Sequence, residues 1–430
     1  MKSHTAYLEM IPPSALKPWD RNARTHSRKQ VRQIADSLRQ FGFTNPVLID
    51  EERRILAGHG RVLAAGELGL EGVPCRRLAG LSEAEKRAYV LADNKLALNA
   101  GWDEDLLAEE LGALLTADLD FDIGVTGFSI PEIDGLMEET APEDPDDPRD
   151  DAQSEHAPRR CHPGDVWALG PHRLICGDAR DPAVVDLLMD GEQARMAFTD
   201  PPYNVPIDGN VSSTGRHGEF AMASGEMSSE AFAAFLHTAF GQLARVSHDG
   251  AIHFICMDWR HMAEMLDAGG ETYAELKNLI VWAKDNAGMG SFYRSRHELI
   301  FAFKVGTAAH VNAFGLGEHG RHRTNVWSYR GVNCFGRERK EALALHPTVK
   351  PVRMIADAIR DVSGRGDVVL DLFGGSGSTL IAAAKTGRRA FLAEIDPLYC
   401  DRILARWEAW AKDDAEQRVC GASDKQGEAA

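Results

Sequence analysis

The sequence predicts a protein of two α/β domains, the second built on a doubly wound, mostly parallel sheet. From residue 162 onward, short apolar runs alternate with amphipathic stretches, which is the order of strands and helices in parallel sheets. A glycine-rich turn, Phe373 to Thr379, directly follows an apolar run, as at a strand-to-helix junction. An acidic, proline-rich segment separates this part from a smaller region at the N-terminus. The length of 430 residues also exceeds that of one ordinary domain.

The composition limits the class of protein. The apolar fraction is 44% and the formal net charge is −17, which argues against a general nucleic-acid coat. No apolar run reaches the length of a membrane span, and no apolar stretch at the N-terminus suggests secretion. The seven cysteines form no C-x-x-C pair, so we expect reduced thiols in a cytoplasm, without a disulfide framework or a zinc site.

Residues 1–85 read as a small α/β domain. Ser27 can cap a helix that ends before Gly42, and two short strands follow at residues 46–50 and 55–57. The turn Gly58-His59-Gly60-Arg61 then leads into a helix predicted from Val62. Helix N-termini present free N–H groups, so this turn can bind an anion. A capped helix with a surface histidine and arginine is the alternative.

This region resembles the ParB/sulfiredoxin-like domain. The resemblance lies in Pro12 to Pro18, in Leu38 to Ile49, and in Leu56 to Arg61. It implies that the turn of Gly58, His59, Gly60 and Arg61 binds the phosphates of a nucleotide. Partition proteins usually carry Gly-Glu-Arg-Arg at this place, and the turn has no cysteine. Sulfiredoxin-type reductase chemistry is therefore not expected.

Residues 86–137 are predicted to form a helical extension. Ser82 and Glu85 form a capping box at the start of one helix, and two more helices are expected at residues 103–115 and 130–137. The acids of this region favour a packing or spacer role over DNA contact. Residues 138–161 are expected to be a solvated linker, because nine acids and one base lie between Glu138 and Glu155. Residues 413–430 are expected to be a disordered tail.

The second domain is predicted to span residues 162–412. Its expected helices lie at residues 184–188, 230–246 and 260–266. Its expected strands lie at residues 173–178, 196–199, 251–256, 279–283, 299–304, 368–371 and 389–393. The segment from Asn204 to Met227 is rich in glycine and serine and is too long for a simple connection. It is therefore predicted to be a mobile loop beside a functional site.

A basic segment lies between about residues 284 and 345. Twelve Lys/Arg and five Asp/Glu residues lie between Lys284 and Arg353, and aromatic residues are interleaved with them. Arginine among aromatic side chains suits contacts with phosphates, base edges and base faces. A solvated basic face is the alternative. The candidate DNA-binding residues are Arg294, Arg296, Arg321, Arg323, Arg330, Arg337, Arg339 and Lys340.

The stretch Asp200-Pro201-Pro202-Tyr203 combines a hydrogen-bond acceptor with a flat stacking surface. It follows the apolar run Met196 to Phe198, so Asp200 is placed where a buried strand ends. Asp200 and the carbonyl of Pro201 can accept N–H groups of an amine, and Tyr203 can lie on the face of a heterocycle. The chemistry suits an exocyclic amine of a base that attacks an electrophile. A proline turn with an incidental acid is the alternative.

The second diagnostic stretch is the glycine turn after Asp371. Glycines let the backbone approach a ligand closely, and the helix N-terminus favours its negative charge. Glu394 ends the next predicted strand, 23 positions after Asp371, near the spacing of a ribose-binding acid in doubly wound folds. The pattern is not G-x-G-x-x-G, which argues against NAD.

Together, three motifs resemble the β group of amino-methylating DNA methyltransferases, the N-4/N-6 DNA methylases. They are Asp200 to Tyr203, His346 to Pro351, and Asp371 to Thr379, and the catalytic motif precedes the cofactor motif, as in that group. The resemblance covers about residues 164–410. It implies the α/β fold of S-adenosylmethionine-dependent methyltransferases, with S-adenosylmethionine as cofactor and double-stranded DNA as partner. It also implies a cytoplasmic protein that is encoded by a bacterium or a phage.

The resemblance further assigns roles to single residues. It implies a catalytic role for Asp200, Pro201, Pro202 and Tyr203 around a flipped base, with adenine N6 favoured over cytosine N4. The implied cofactor-binding residues are Asp178, Thr348, Lys350, Asp371, Phe373, Gly375, Gly377, Ser378 and Glu394. Thr348 and Lys350 would lie near the methionine carboxylate, and Asp178 near the adenine of the cofactor. The alternative readings are a strand-end cap for Asp178 and a helix start at Lys350.

Several alternatives stay open at the level of the sequence. Cytosine N4 methylation fits the same chemistry as adenine N6 methylation. A ParB-like binding module with a non-catalytic methylase domain is the alternative from another class of function. A homodimer, a nucleotide at the N-terminal domain and a restriction partner are also open.

Overall fold

The computed structural model describes residues 7–117, 119–140, 157–204, 225–285, 292–314, 323–329 and 349–418. The chain divides into two compact units, residues 1–141 and 142–430. No helix in these described ranges is long and apolar enough to cross a membrane. Residues 205–224, which make up most of the predicted loop between Asn204 and Met227, lie outside the described ranges.

The first unit is built on a four-stranded sheet of mixed direction. The sheet has the order β1-β4-β2-β3, in which β2 and β4 are parallel and the other pairs are antiparallel. Its core packs Val47, Ile49, Ile55 and Cys75 against one another. The strands of this unit are β1 (Leu8–Ile11), β2 (Val47–Ile49), β3 (Ile55–Ala57) and β4 (Val73–Arg77).

Local capping explains where the helices of the first unit begin. The side chain of Ser27 accepts a hydrogen bond from the N–H of Gln30, and the capping box of Ser82 and Glu85 is fully formed. The last two helices share a small core around Leu111, Ile123 and Ile133. The helices are α1 (Arg28–Phe41), α2 (His59–Glu67), α3 (Glu83–Ala97), α4 (Glu104–Thr116) and α5 (Ile130–Thr140).

The second unit is built on a ten-stranded sheet. Its order is β11-β9-β10-β8-β7-β12-β13-β6-β5-β14, and the five central strands from β8 to β6 are parallel. The strands are β5 (Val166–Leu169), β6 (His172–Cys176), β7 (Ala194–Thr199), β8 (Ser247–Met257), β9 (Glu275–Ala283), β10 (His297–Lys304), β11 (Val326–Ser328), β12 (Val368–Asp371), β13 (Arg389–Glu394) and β14 (Glu416–Arg418).

Helices cover both faces of this sheet. Alternate residues of each central strand point to opposite faces, so Leu392 packs in one core and Phe391 in the other. One core includes the last three helices and the other includes the first three, as a doubly wound sheet requires. The helices are α6 (Pro182–Met189), α7 (Ser229–Arg245), α8 (Met262–Thr272), α9 (Val352–Val362), α10 (Ser378–Lys385) and α11 (Pro397–Ala411).

The α/β fold predicted for both regions is confirmed, with four differences in detail. The end of the expected solvated linker is packed, since Cys161 is buried and the N–H groups of Arg160 and Cys161 donate to Asp401. Helix α2 begins at His59 rather than at Val62, because Gly58 adopts φ 96° and turns the chain early. The sheet is of mixed direction outside its centre, since β10 and β5 run antiparallel to both of their neighbours, while β11 pairs with β9 in parallel. Residues 416–418, within the expected tail, pair with β5.

Candidate active site

Four acids lie just at, or just after, the carboxyl ends of neighbouring parallel strands. Asp200 follows β7, Asp371 ends β12, Glu394 ends β13, and Asp178 follows β6 by two positions. The carboxyl ends of parallel strands meet at one edge of the sheet, where doubly wound folds bind their ligands. The strand order β7-β12-β13-β6 therefore gathers these acids from distant parts of the chain.

A single cavity at this edge collects nearly all the described candidate residues of the two diagnostic stretches. Its wall includes all four residues of the stretch Asp200 to Tyr203 and most of the glycine turn. The predicted site residues that line it are Asp178, Asp200, Pro201, Pro202, Tyr203, Lys350, Asp371, Phe373, Gly375, Ser378 and Glu394. Gly377 is not in the wall, and Thr348 lies outside the described residues.

Asp371 joins the two diagnostic stretches from within the fold. Its carboxylate accepts hydrogen bonds from the hydroxyls of Thr199, at 2.8 Å, and Thr379, at 2.7 Å. It also accepts the N–H of Phe373 at 3.1 Å. Burial raises the pKa of Asp371 to about 7, although these donors favour the ionised form. Asp371 thus fixes the end of β7 and the glycine turn to each other.

Glu394 presents a buried carboxylate to the cavity. One oxygen accepts the N–H of Gly375 at 2.8 Å and the other accepts the N–H of Asp396 at 2.9 Å. Burial raises the pKa of Glu394 to about 7 against these two hydrogen bonds. Each carboxylate oxygen can accept more than one hydrogen bond, so the group can still bind the hydroxyls of a sugar.

The glycine turn brings the start of α10 to the cavity. Gly375 and Gly377 adopt φ values of 50° and 78°, which favour glycine over other residues. A Cβ at Gly377 would lie 3.3 Å from the side chain of Ile403, so α11 also restricts this position. No side chain of the described residues caps α10, whose first N–H groups can therefore bind an anion.

Asp178 and Phe373 occupy a more open part of the cavity. Arg180 donates to both oxygens of Asp178, with Nε at 3.0 Å from Oδ1 and Nη2 at 2.7 Å from Oδ2. Burial opposes ionisation, but these hydrogen bonds lower the pKa of Asp178 below its usual value. The rings of Phe373 and Phe235 are 6.0 Å apart, and Arg180 lies over the ring of Phe235. A flat heterocycle can bind among these groups.

Asp200 has two close partners within the protein. The hydroxyl of Tyr203 donates to Oδ1 of Asp200 at 2.6 Å, and the ammonium group of Lys350 contacts Oδ2. The same ammonium group lies 5.5 Å from the centre of the Tyr203 ring. The resemblance placed Lys350 near the carboxylate of the cofactor, whereas the structure pairs it with protein carboxylates. Its position two residues before α9 brings it to Asp200.

The sequence analysis missed Glu298 and Lys284, which belong to the same charged group. Lys350 Nζ is 3.2 Å from Oε2 of Glu298, and the ammonium group of Lys284 contacts Oε1. The Tyr203 hydroxyl is 3.3 Å from Oε2 of Glu298. Glu298 lies in β10, whose antiparallel pairing with β8 and β9 could not be read from the sequence. The available signal was an acid directly before the apolar run Leu299 to Phe303.

Only part of the predicted DNA-binding set can be located. Arg294 and Arg296 are exposed, between β9 and β10. Arg323 has a different place, because its Nε donates to Asp361 at 2.9 Å and its Nη1 to the Tyr329 hydroxyl at 3.0 Å. Its side chain is only 17% exposed, so it joins the segment before β11 to α9 rather than facing solvent. Outside the described residues lie Arg321, Arg330, Arg337, Arg339 and Lys340.

The side chains of the turn at residues 58–61 form hydrogen bonds within the protein. Nη2 of Arg61 donates to the carbonyl of Pro46 at 3.4 Å and would lie 2.9 Å from a Cβ at Gly58. His59 accepts the N–H of Trp19 at 3.2 Å. Burial, with a smaller effect from His26, lowers the pKa of His59 to about 4. His59 is therefore neutral near pH 7, and a phosphate would have to draw Arg61 away from the turn.

The geometry of the main cavity suits a transfer between two bound molecules. At one end are a buried carboxylate, a glycine turn, a helix N-terminus and an aromatic ring, which fit a nucleoside that carries an anionic group. At the other end are Asp200, Tyr203 and Lys350. Both ends open into the same cavity, so the two molecules would meet inside it.

Comparison with known families gives three matches along the chain. A DNA methylase model for the N6/N4 methyltransferases matches residues 194–405. A ParB N-terminal domain model matches residues 1–95. A model of the helix-turn-helix (HTH) domain of ParB-methyltransferases matches residues 105–163. The last match covers α4 and α5, for which we had expected a packing or spacer role.

Individual proteins resemble separate parts of the chain. The ParB-like nuclease domain-containing protein YnaK of Escherichia coli (strain K12) is 53% identical over 76 residues, which cover 18% of this chain and 87% of YnaK. YubD of the same organism, which bears the name of a methylase, is 25% identical over 217 residues, or 50% of this chain and 82% of YubD.

Among solved structures, the M1.HpyAVI–SAM complex is similar with a TM-score of 0.40 and 18% identity. The matched region covers 54% of this chain and 97% of the M1.HpyAVI chain.

Proposed function

This chain belongs to the N6/N4 DNA methylases and carries a ParB N-terminal domain in addition, and from this membership we propose that it methylates adenine N6 in double-stranded DNA. The observation that carries the proposal is the shared cavity. Asp200, Pro201, Pro202 and Tyr203 line it together with the glycine turn and Glu394. The target amine and the methyl donor can therefore meet without a further change of fold.

S-adenosylmethionine is the cofactor, and the residues present fit it. Glu394 is a buried acceptor for ribose hydroxyls, and the start of α10 can bind the methionine carboxylate. Phe373 and Asp178 can hold the adenine ring and its amine. The cofactor supplies a methyl group that its sulfonium already activates, so the protein mainly has to orient the two reactants.

The stretch Asp200 to Tyr203 would bind the target base. An amine inside a duplex is shielded by stacking, so the base must leave the stack before it reaches the cavity. Tyr203 would then stack on the base, while Asp200 and the carbonyl of Pro201 would accept its two N–H groups. Accepting these hydrogens directs the nitrogen lone pair towards the methyl group. Adenine is favoured because an Asp in the first position leans towards adenine within the resembling family.

The N-terminal parts would add contacts outside the active site. We propose that the HTH region around α4 and α5 binds DNA, since its family model is the HTH domain of ParB-methyltransferases. The turn at residues 58–61 would bind a nucleotide phosphate once Arg61 leaves the carbonyl of Pro46. Arg294 and Arg296 remain candidates for DNA contact, because both are exposed beside the strand that carries Glu298.

The test of the proposal is the substitution Asp200→Ala. Because Asp200 would accept the amine of the base, we expect loss of methyl transfer by roughly a hundredfold or more. The affinity for S-adenosylmethionine should change little, since Glu394 and the glycine turn lie on other strands. The measurements are transfer of labelled methyl groups to unmethylated DNA and calorimetric titration of the cofactor.

The exposed residue Asp186 offers a matched control, because it lies in α6 outside the wall of the cavity. Asp186→Ala should transfer methyl groups as the unchanged protein does. Full activity of Asp200→Ala would remove Asp200 from the proposed role. A wild-type protein that binds the cofactor but never methylates DNA would favour the binding-module alternative.

A further inference from the structure

Glu298 shares both hydrogen-bond donors of Asp200. Lys350 contacts Asp200 Oδ2 and lies 3.2 Å from Glu298 Oε2. The Tyr203 hydroxyl is 2.6 Å from Asp200 Oδ1 and 3.3 Å from Glu298 Oε2. Glu298 is not among the described residues that line the cavity, so it acts through these donors and not on a bound molecule.

The arrangement addresses a conflict within the active site. In this structure Asp200 already accepts from Tyr203 and Lys350, one donor on each oxygen. A target amine would have to share this carboxylate with the charged ammonium group of Lys350, which competes with the amine for the negative charge of Asp200. If Lys350 left Asp200 with no other acceptor, a buried ammonium group would lose its partner, which is strongly unfavourable. A second acceptor within reach removes this obstacle.

We propose that Glu298 is a positioning residue that takes over Lys350 and Tyr203 when Asp200 accepts the target amine. The inference deepens the proposed function and rests on it. Lys284 contacts the other oxygen of Glu298 and holds this carboxylate in place. Lys350 can then move its hydrogen bond from Asp200 to Glu298, so that its ammonium group always has a carboxylate partner. Asp200 thereby loses a competing charged donor and can accept the amine of the base more strongly.

The titratable groups around Asp200 come from six parts of the chain. Lys284 directly follows β9, Glu298 is in β10, and Lys350 precedes α9. The thiol of Cys256 in β8 and the carboxyl of Asp371 in β12 face the same group, as does the phenol of Tyr203. The two carboxylates Asp200 and Glu298 are thus balanced by two ammonium groups.

Two of these groups, Lys350 and Glu298, shift the pKa of Asp200 through their charges. Burial raises the pKa of Asp200, the charge of Lys350 lowers it, and the charge of Glu298 raises it. Burial also disfavours the charge of Glu298, but Lys350 and Lys284 together lower the pKa of Glu298 to about 2. Glu298 therefore stays negative in neutral solution, and its removal would make Asp200 easier to ionise.

Two substitutions should shift the pH dependence of methyl transfer in opposite directions. Asp200 must be ionised to accept the amine, so the rate falls as pH falls through the pKa of Asp200. Glu298→Gln removes a negative charge and should move this acid limb to lower pH, by about half a unit or more. Lys284→Gln removes a positive charge beside Glu298 and should move the acid limb to higher pH.

The two variants also differ in their effect on the maximal rate. Glu298→Gln leaves Lys350 with Asp200 as its carboxylate partner, so single-turnover transfer should fall roughly tenfold or more at its optimum. Glu298→Asp keeps the charge and should restore the wild-type position of the acid limb. Binding of S-adenosylmethionine should stay within about twofold in all three variants, because Glu394 and the glycine turn are unchanged.

The experiment measures single-turnover transfer of labelled methyl groups from S-adenosylmethionine to unmethylated DNA, over the pH range in which the full chain stays folded. Opposite shifts for Glu298→Gln and Lys284→Gln support the proposal. Shifts in the same direction, or no shift, overturn it, because a residue that only packs would not move the acid limb in opposite directions in the two variants. If Glu298→Gln fails to bind cofactor, the shift in Lys284→Gln and the rescue by Glu298→Asp decide. A wild-type protein without transfer would instead overturn the proposed function itself.

Discussion

At the scale of single residues, the acids of the active site differ in their pKa values. Burial raises the pKa of Asp371 and of Glu394 to about 7, whereas two lysines lower that of Glu298 to about 2. The first two would bind or support the cofactor, and the third would stay charged behind Asp200. Groups with such shifted pKa values are typical of functional sites.

Glu394 offers a direct test of cofactor binding at this scale. The carboxylate accepts hydroxyl groups best when it is ionised, and its pKa in the folded protein is about 7. Affinity for S-adenosylmethionine should therefore fall as pH is lowered through about 7, when the carboxylate gains a proton. Glu394→Gln should weaken binding by roughly tenfold, since a hydrogen bond to a charged group is worth about 1.5–3 kcal/mol.

The measurement is calorimetric titration of the cofactor at several pH values. Glu192, between α6 and β7, offers a control, because it pairs with Arg389 at the start of β13 at 2.5 Å and does not line the cavity. Glu192→Gln should retain both the affinity and its pH dependence. If Glu394→Gln kept the wild-type pH profile, Glu394 would not be the group that titrates.

At the scale of elements, α9 links the active site to the basic segment. Lys350 stands two residues before α9, while Asp361 near its end accepts from Arg323. The Tyr329 hydroxyl donates to Asp357 in the same helix. The two described ends of the segment around β11 are thus tied to the helix that positions Lys350.

The place of Arg323 leads to a prediction about stability. Arg323→Met takes a guanidinium group from the buried carboxylate of Asp361, so we expect the free energy of unfolding to fall by about 2 kcal/mol, the size of a hydrogen bond to a charged group. Arg296→Met, at an exposed position, should change it by less than about 0.5 kcal/mol. Denaturant unfolding of both variants measures the difference. If Arg323→Met kept the wild-type stability but bound DNA more weakly, Arg323 would instead be a DNA-contacting residue.

Local signals in the sequence predicted much of the fold. The capping box at Ser82, the glycine turn after Asp371 and the apolar runs of the central strands each depend on neighbours in the chain. Because parallel strands place their carboxyl ends at one edge, the meeting of Asp200, Asp371 and Glu394 was also predictable. These are the parts that the structure reproduces most closely.

Contacts set by antiparallel register could not be predicted in this way. Glu298 faces Lys350 because β10 pairs with β9 and β8, and a shift of one residue would turn its side chain to the other face. The sequence shows no signal for that register. For the same reason β14, which pairs with β5 across almost the whole length of the second unit, was expected to be part of a tail.

At the scale of the whole molecule, the chain combines three family modules. The ParB N-terminal match ends at residue 95, the HTH match begins at 105, and the DNA methylase match begins at 194. All the described residues of the proposed cofactor and base sites belong to the second compact unit. We therefore expect the chemistry to reside there and the first unit to affect the choice of DNA.

The central claim is that this chain methylates the exocyclic amine of adenine in DNA. The most direct measurement is mass spectrometry of nucleosides from unmethylated DNA after incubation with the full chain and S-adenosylmethionine, with Asp200→Ala as the blank. We predict N6-methyldeoxyadenosine in the wild-type sample and none above background in the blank. N4-methyldeoxycytidine in place of the adenine product would contradict the choice of base, and the absence of any methylated nucleoside would contradict the claim as a whole.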